Sequence, residues 1–481
     1  MIGANDIRAS VILFAFPVLL LGTHAGPARA DASRPHADGI QDTATVRDSA
    51  GVRIVENHRP AWLRDREWLV ASQPSVTIGD IEGEEHEVLS RVTGAVRLSD
   101  GSIAVGDGGA FRVRIYDRAG RHLRSFGGPG EGPGEFGVMG MIGRLHGDSV
   151  GVWDRRRKRV TVFSKTGEPR TGQPATVTGE LVPAVGWLED GSLIVTSTIT
   201  PAEAWSTQPG ETRRDNRFIV IRPDGTGETV LVLRGLEVIV TRSGRTYVPE
   251  SVLFGRNSYL APSAAGFVAG ESDSFELRRR SWDGRLVTII RKPGPARTVT
   301  DAELTIAKAN AERARQQILR ITGMTARGLS STAGTELPHR STHPYFDALM
   351  VDATEHIWVR QSSRGAATQS WLVFDPGGIW LGAISLPGNL RVTDIGPDYV
   401  LGIYRDDLGV ESVRLYGLDR RRGPNVPSSF RRQGPPMQPT RFASASRVRR
   451  SERSERSRQL FAMGRRFPRT RRAVESRALS G

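Results

Sequence analysis

Residues Arg112–Gly120 read RVRIYDRAG, and the same pattern returns as RVTVFSKTG at Arg159–Gly167 and RFIVIRPDG at Arg217–Gly225. In each copy an arginine precedes an apolar residue, two further apolar residues follow at the third and fourth positions, and a glycine closes the stretch at the eighth. Weaker copies begin at Glu276 (ELRRRSWDG), Ser370 (SWLVFDPGG) and Ser412 (SVRLYGLDR), the last without its glycine. Alternating apolar residues ending in a glycine turn read as a strand entering a hairpin. Upstream of most copies lies a second strand signal: DGSIAV at Asp100, GDSVGV at Gly147, DGSLIV at Asp190, TEHIWV at Thr354 and PDYVLGI at Pro397. Each unit therefore supplies about four short strands, which is the pattern of a propeller blade.

The longest well-patterned unit, Leu98–Phe136, ends in GGPGEGPGEFG, Gly127–Gly137. Gly132, Gly134 and Gly137 satisfy G-x-G-x-x-G, but a phosphate-binding loop needs a helix behind it, and VMGMIGRLHGDSVGV follows instead. The stretch is read as the crossover between two units, with Phe136 packing between them. The unit resembles an NHL-type repeat, and the span Gly51–Asp419 resembles the exported six-bladed β-propeller proteins related to NHL repeats. That resemblance implies an all-β fold of six four-stranded antiparallel blades, and says little of activity, since propellers serve as binding platforms, lactonases, lyases and receptors. Sequence is short after Arg391 for a complete sixth blade, so a strand from GVRIVEN (Gly51) or SVTIGD (Ser75) is expected to complete it and close the ring.

The ends of the chain read differently from its body. Arg8, an apolar run from Val11 to Leu21 and Ala28-Arg29-Ala30 form a signal-peptide pattern covering residues 1–30, with the mature chain starting at Asp31 and residues 31–50 as a linker. Export to the periplasm or the exterior follows. No further stretch is apolar enough for a transmembrane helix. The chain has no cysteine, which excludes disulfides and thiolate chemistry. The net charge of +15 resides wholly in the Arg-, Ser- and Pro-rich segment 420–481, read as a disordered tail that the body should not need for stability. Such a tail suits an anionic polymer or membrane surface; nucleic acid is not expected as a partner, and a monomer is.

Function is placed on the face carrying the loops between second and third strands and the unit-to-unit crossovers. There lie WDRRRKR at Trp153–Arg159, the insertion Thr200–Asn216, RQSSRGAATQS at Arg360–Ser370, and the insertion Pro293–Pro344 between the fourth and fifth units. In that last insertion TDAE at Thr300–Glu303 is a capping box, and Leu304, Ala307, Ala311, Ala314, Ile318 and Ile321 form one stripe of a helix of about 20 residues. Asp154, Arg155, Arg156 and Arg157 are the candidate contacts for an anionic ligand, and replacing all four together should leave stability nearly unchanged. His343 and His86 are possible ligands, but no H-x-H or H-E-x-x-H occurs, the acidic turn EGEEHE reads as solvated, and neither a metal nor a cofactor is expected. The leading function is a non-enzymatic platform for an unidentified ligand or protein. The alternatives are a lactonase-like hydrolase or lyase at the central channel, for which no catalytic residues are recognisable, and a surface-association protein working through the tail.

Overall fold

The computed structural model describes residues 43–420, except 63–66, 178–182, 199–208, 244–245, 323–336 and 363–365. Among these residues the strands form six sheets of four to six strands, plus one two-stranded parallel pair, and there is one long helix. The first sheet is Val92–Arg97, Ile103–Asp107, Arg112–Tyr116 and His122–Phe126, laid side by side in chain order. The second repeats that plan with Met139–Arg144, Val150–Asp154, Arg159–Phe163 and Pro169–Thr171, and the fifth with Ala348–Val351, Ile357–Arg360, Thr368–Phe374 and Trp380–Pro387.

Strand alternation places the two faces of each sheet in different cores. Ile103 and Val105 pack with Tyr399 and Leu401 of the last sheet, while Ala104 between them packs with Val150 and Val152 of the second. Leu193 and Val195 of the third sheet join Trp153 of the second, and Ile194 joins Leu260 and Phe267 of the fourth. Leu277 and Ile290 then meet Ile357 and Leu372, and Trp358 and Trp371 meet Ile395 and Val400. Six apolar clusters thus link each sheet to the next and the last to the first, so the sheets close into a ring. The innermost strands are Val92–Arg97, Met139–Arg144, Ala184–Trp187, Ser258–Ser263, Ala348–Val351 and Leu390–Ile395. Phe136 is buried in the cluster between the first two sheets and lies 6.1 Å from Phe163, as the crossover reading of the glycine-rich stretch requires; Gly127, Gly130 and Gly134 there have positive φ.

The chain's early strands are divided between two sheets. Val76–Ile78 pairs antiparallel with the outer edge of Glu411–Asp419, completing the sheet built from Leu390–Ile395 and Tyr399–Arg405, and Leu69–Val70 pairs with the end of the same strand. Val52–Asn57 goes elsewhere. It adds in parallel to Leu286–Arg291, the outer strand of the fourth sheet, and carries Ala44–Ser49 as a further edge. Buried Asn57 fixes this junction, donating to the Arg291 and Gly378 carbonyls at 3.2 and 3.0 Å and accepting from Trp380 N at 2.7 Å.

Two other expectations change. Part of the supposed Thr200–Asn216 loop is strand: Gly210–Ile221 and Gly227–Ser243 make a long hairpin in a five-stranded third sheet. Not every sheet is therefore four-stranded. The helix α1 spans Asp301–Thr322 between the fourth and fifth sheets. Its capping box is formed, Thr300 N donating to Glu303 at 3.0 Å and Glu303 N to Thr300 Oγ1 at 3.3 Å. Ala307 is buried, whereas Ala314, in the same predicted stripe, is exposed; the side chains of Ile318 and Ile321 lie outside the described residues.

Candidate functional site

The turn between the second and third strands is built alike in the first two sheets, and that construction decides what Asp154 does. Asp107 ends its second strand, accepts from Gly109 N and Ala110 N at 3.1 and 3.2 Å, and receives Arg114 Nε at 2.9 Å in a buried ion pair. Asp154 occupies the equivalent place and is fully buried. It accepts from Arg156 N and Arg157 N at 3.0 and 2.9 Å, from Gly137 N of the crossover at 2.8 Å, and from Arg157 Nη1 at 3.3 Å. A carboxylate so occupied caps a turn and does not meet a ligand. Arg157 is spent on Asp154 and on Glu131 at 3.0 Å. Of the four predicted residues, Arg156 is exposed and Arg155 lies over the inner strand, its Cγ 2.8 Å from where a Cβ on Gly140 would stand and its buried Nε without a partner.

The expectation for the fourfold replacement is therefore corrected. Asp154→Ala alone should cost about 3 kcal/mol, because it strands several buried backbone donors. Arg155→Ala with Arg156→Ala should stay within about 1 kcal/mol of the parent. Urea unfolding of the two variants separates these outcomes.

Other arginines converge on the same end of the ring from residues far apart in the chain. Arg391, on the inner strand of the last sheet, donates to the Val92 and Thr93 carbonyls of the first at 2.7 and 3.4 Å. Burial pulls its pKa below the usual arginine value, with Glu411 opposing. Arg91, one residue before the first inner strand, donates to the Gly108 carbonyl at 3.1 Å and lies over Phe111. Arg256, two residues before the fourth inner strand, donates to the Phe254 and Thr342 carbonyls and to Thr342 Oγ1. By contrast, Arg405 is neutralised by Glu411, which also accepts from Val92 N at 2.7 Å. Arg91, Arg155, Arg256 and Arg391 thus lie at or beside the starts of inner strands on this face, with no carboxylate within ion-pair distance among the described residues.

Beside them, α1 is clasped at its first turn. Buried His343 places Nε2 3.2 Å from Glu303 and Nδ1 3.3 Å from Ser362 Oγ and from Arg297 Nη2. Burial opposes charge on Glu303, yet hydrogen bonds from Thr300, Arg297 and His343 pull its pKa down to about 2. Burial lowers that of His343. Among the described residues no three His, Asp or Glu side chains gather in a set that could hold a metal ion. His86 instead stacks on His122 at 4.3 Å, and its carbonyl accepts from Tyr116 Oη.

A closed ring of radially packed antiparallel sheets, with its inner strands around an opening, is a β-propeller. No protein-family model matches the chain, nor does any curated protein. Solved structures similar to it include a protein described as exported from Bacteroides fragilis, at 12% identity and TM-score 0.39, covering 76% of this chain and 98% of that one. A gluconolactonase from Xanthomonas campestris matches at 13% identity and TM-score 0.36, covering 79% and 95%. Virginiamycin B lyase from Staphylococcus aureus matches at 10% identity and TM-score 0.36, covering 73% and 99%. Likeness at this level does not extend to the sites of those proteins. No helix among the described residues is long and apolar enough to cross a membrane.

Proposed function

We propose that this chain is an exported, six-bladed propeller with NHL-like repeats that binds an anionic ligand at the ring opening on its loop-rich face. The observation that carries this reading is the set Arg91, Arg155, Arg256 and Arg391: Arg91, Arg256 and Arg391 donate to backbone or hydroxyl oxygens, and the buried Nε of Arg155 has no partner among the described residues. Carbonyls hold such guanidinium groups in place without cancelling their charge, which leaves a preorganised positive field at the opening. The neighbouring loops differ in length and charge, and so can select among anions where the repeated cores cannot.

Retention on immobilised polygalacturonate tests this, with the full chain and a chain ending at Pro424 run in parallel. The variant Arg155→Ala with Arg156→Ala should weaken retention about tenfold in both, as expected for losing charge-assisted hydrogen bonds. Retention that survives this variant but disappears with residues 425–481 would transfer the binding to the basic tail.

A further inference from the structure

The opposite face of the propeller carries the turns between first and second strands, and one of them breaks the common plan. In three sheets an aspartate caps its own turn. Asp100 accepts from Ser102 N at 2.9 Å, Asp190 from Ser192 N at 2.8 Å and Asp352 from Thr354 N at 2.8 Å. In the second sheet the turn reads LHGDS, Leu145–Ser149, and its aspartate comes later. Gly147 and Asp148 both take positive φ, 67° and 59°, a conformation a non-glycine residue rarely adopts. Asp148 leaves its own turn for the neighbouring one, accepting from Ser99 N at 2.9 Å and Ser99 Oγ at 2.5 Å.

Beside this displaced turn lies an open cleft of about 340 Å³, lined by Ser99, Arg144, Leu145, His146, Asp148 and Glu189, which come from three successive sheets. Its charges are unevenly used. Asp148 is engaged by Ser99 and faces Lys165 at 3.8 Å, and Lys165 also holds Asp100 at 3.1 Å. Arg144 has one long hydrogen bond, 3.4 Å to the Arg97 carbonyl, and no ion pair among the described residues. The acid behind it, Asp394, is committed to Arg97 N at 3.0 Å and Tyr399 Oη at 2.7 Å. Glu189 is exposed and makes neither a hydrogen bond nor an ion pair among the described residues. Arg144 and Glu189, opposite in charge and neither in an ion pair among the described residues, therefore border the same cleft.

We propose that this cleft binds a small zwitterion, a free α-amino acid or a dipeptide, with the Arg144 guanidinium taking its carboxylate and Glu189 its ammonium group. A guanidinium fork matches a carboxylate in two hydrogen bonds, and an ammonium group donates three. The volume is at the small end for ligand pockets, which suits molecules of this size. This site is independent of the opening on the loop-rich face.

The test is calorimetric titration of the full chain with each of the common amino acids and with glycyl-leucine. N-acetyl-leucine and leucinamide serve as controls that each lack one charge. At least one free amino acid or the dipeptide should bind, and Arg144→Ala and Glu189→Gln should each weaken it about tenfold or more, as should removing either ligand charge. Both side chains are exposed, so both variants should keep the parent melting temperature. The proposal is overturned if no zwitterion binds up to about 10 mM, if the variants bind as the parent does, or if the singly charged derivatives bind equally well.

Discussion

Deleting residues 51–80 should abolish recovery of folded protein. The segment contains Val52–Asn57, which edges the fourth sheet, and Val76–Ile78, which completes the last one. It also buries Ile54, Val55, Trp62, Trp68 and Ile78, of which Val55 is 0% and Ile78 2% exposed. At about 2–3 kcal/mol for each large apolar side chain returned to water, the loss is on the order of 10 kcal/mol, comparable with the whole stability of a domain. Trp62 has a further commitment: it packs so closely on Gly382 that a Cβ there would stand 2.2 Å from its ring. The deletion therefore leaves a hole lined by glycine backbone as well as an open edge. A soluble deletion product with an unchanged near-ultraviolet circular dichroism spectrum would contradict this account of ring closure.

The second large effect is expected one residue past the predicted end of the ring. Arg420 was assigned by sequence to a dispensable tail, but it lies over the Trp68 ring at 4.3 Å and donates to Asp352 at 2.9 Å, to Thr354 Oγ1 at 2.6 Å and to the Gly396 carbonyl at 2.6 Å. Asp352 has no exposed side-chain surface. Burial alone would raise its pKa; hydrogen bonds from His356, Trp358 and Thr354 and the charge of Arg420 hold it well below the usual carboxylate range. Removing Arg420 leaves a buried anion without its counter-charge. A chain ending at Asp419 should be about 3 kcal/mol less stable than one ending at Pro424, a fall of about 4 °C in melting temperature for a ring of this size. The sign with pH follows from the depressed pKa. The stabilisation is present above the unfolded value, near 4, and is lost as pH falls through the lower folded value, so the two chains should converge in acid. Equal melting temperatures at pH 7 would return Arg420 to the tail.

The repeat was legible because its signal is local. Residues such as Ile103, Ala104 and Val105 need only alternate, and each unit repeats the demand. The attachment of Val52–Asn57 was not legible, since a parallel pairing at an outer edge depends on which edge the finished ring leaves open. Asp154 was misread for a different reason. Its place just before five consecutive basic residues, Arg155–Arg159, suggests a charged surface, while the informative comparison is with Asp107, the residue at the same place in the preceding sheet. The opening was out of reach altogether: Arg391 rests on Val92 and Thr93, and no pattern within a short window can connect positions about 300 residues apart.

Pairing the strand Val76–Ile78 with Glu411–Asp419 also imposes an order on folding. Ile78 meets Val413, so the outer edge of the closing sheet is synthesised among the first elements and its other three strands among the last. Until the final strand is made, the early one has no partner, and the growing array presents an unfilled edge at each end. Closing so long a loop is entropically costly only in proportion to the logarithm of its length, but its contacts come late and make the search slow. A chain stalled before residue 411 would be a stack of nearly complete sheets with both ends open to pairing with a second molecule. The period of greatest aggregation risk therefore lies before Glu411–Asp419 has been made, and any factor that shields the segment around Val76 until then should raise the yield of native protein.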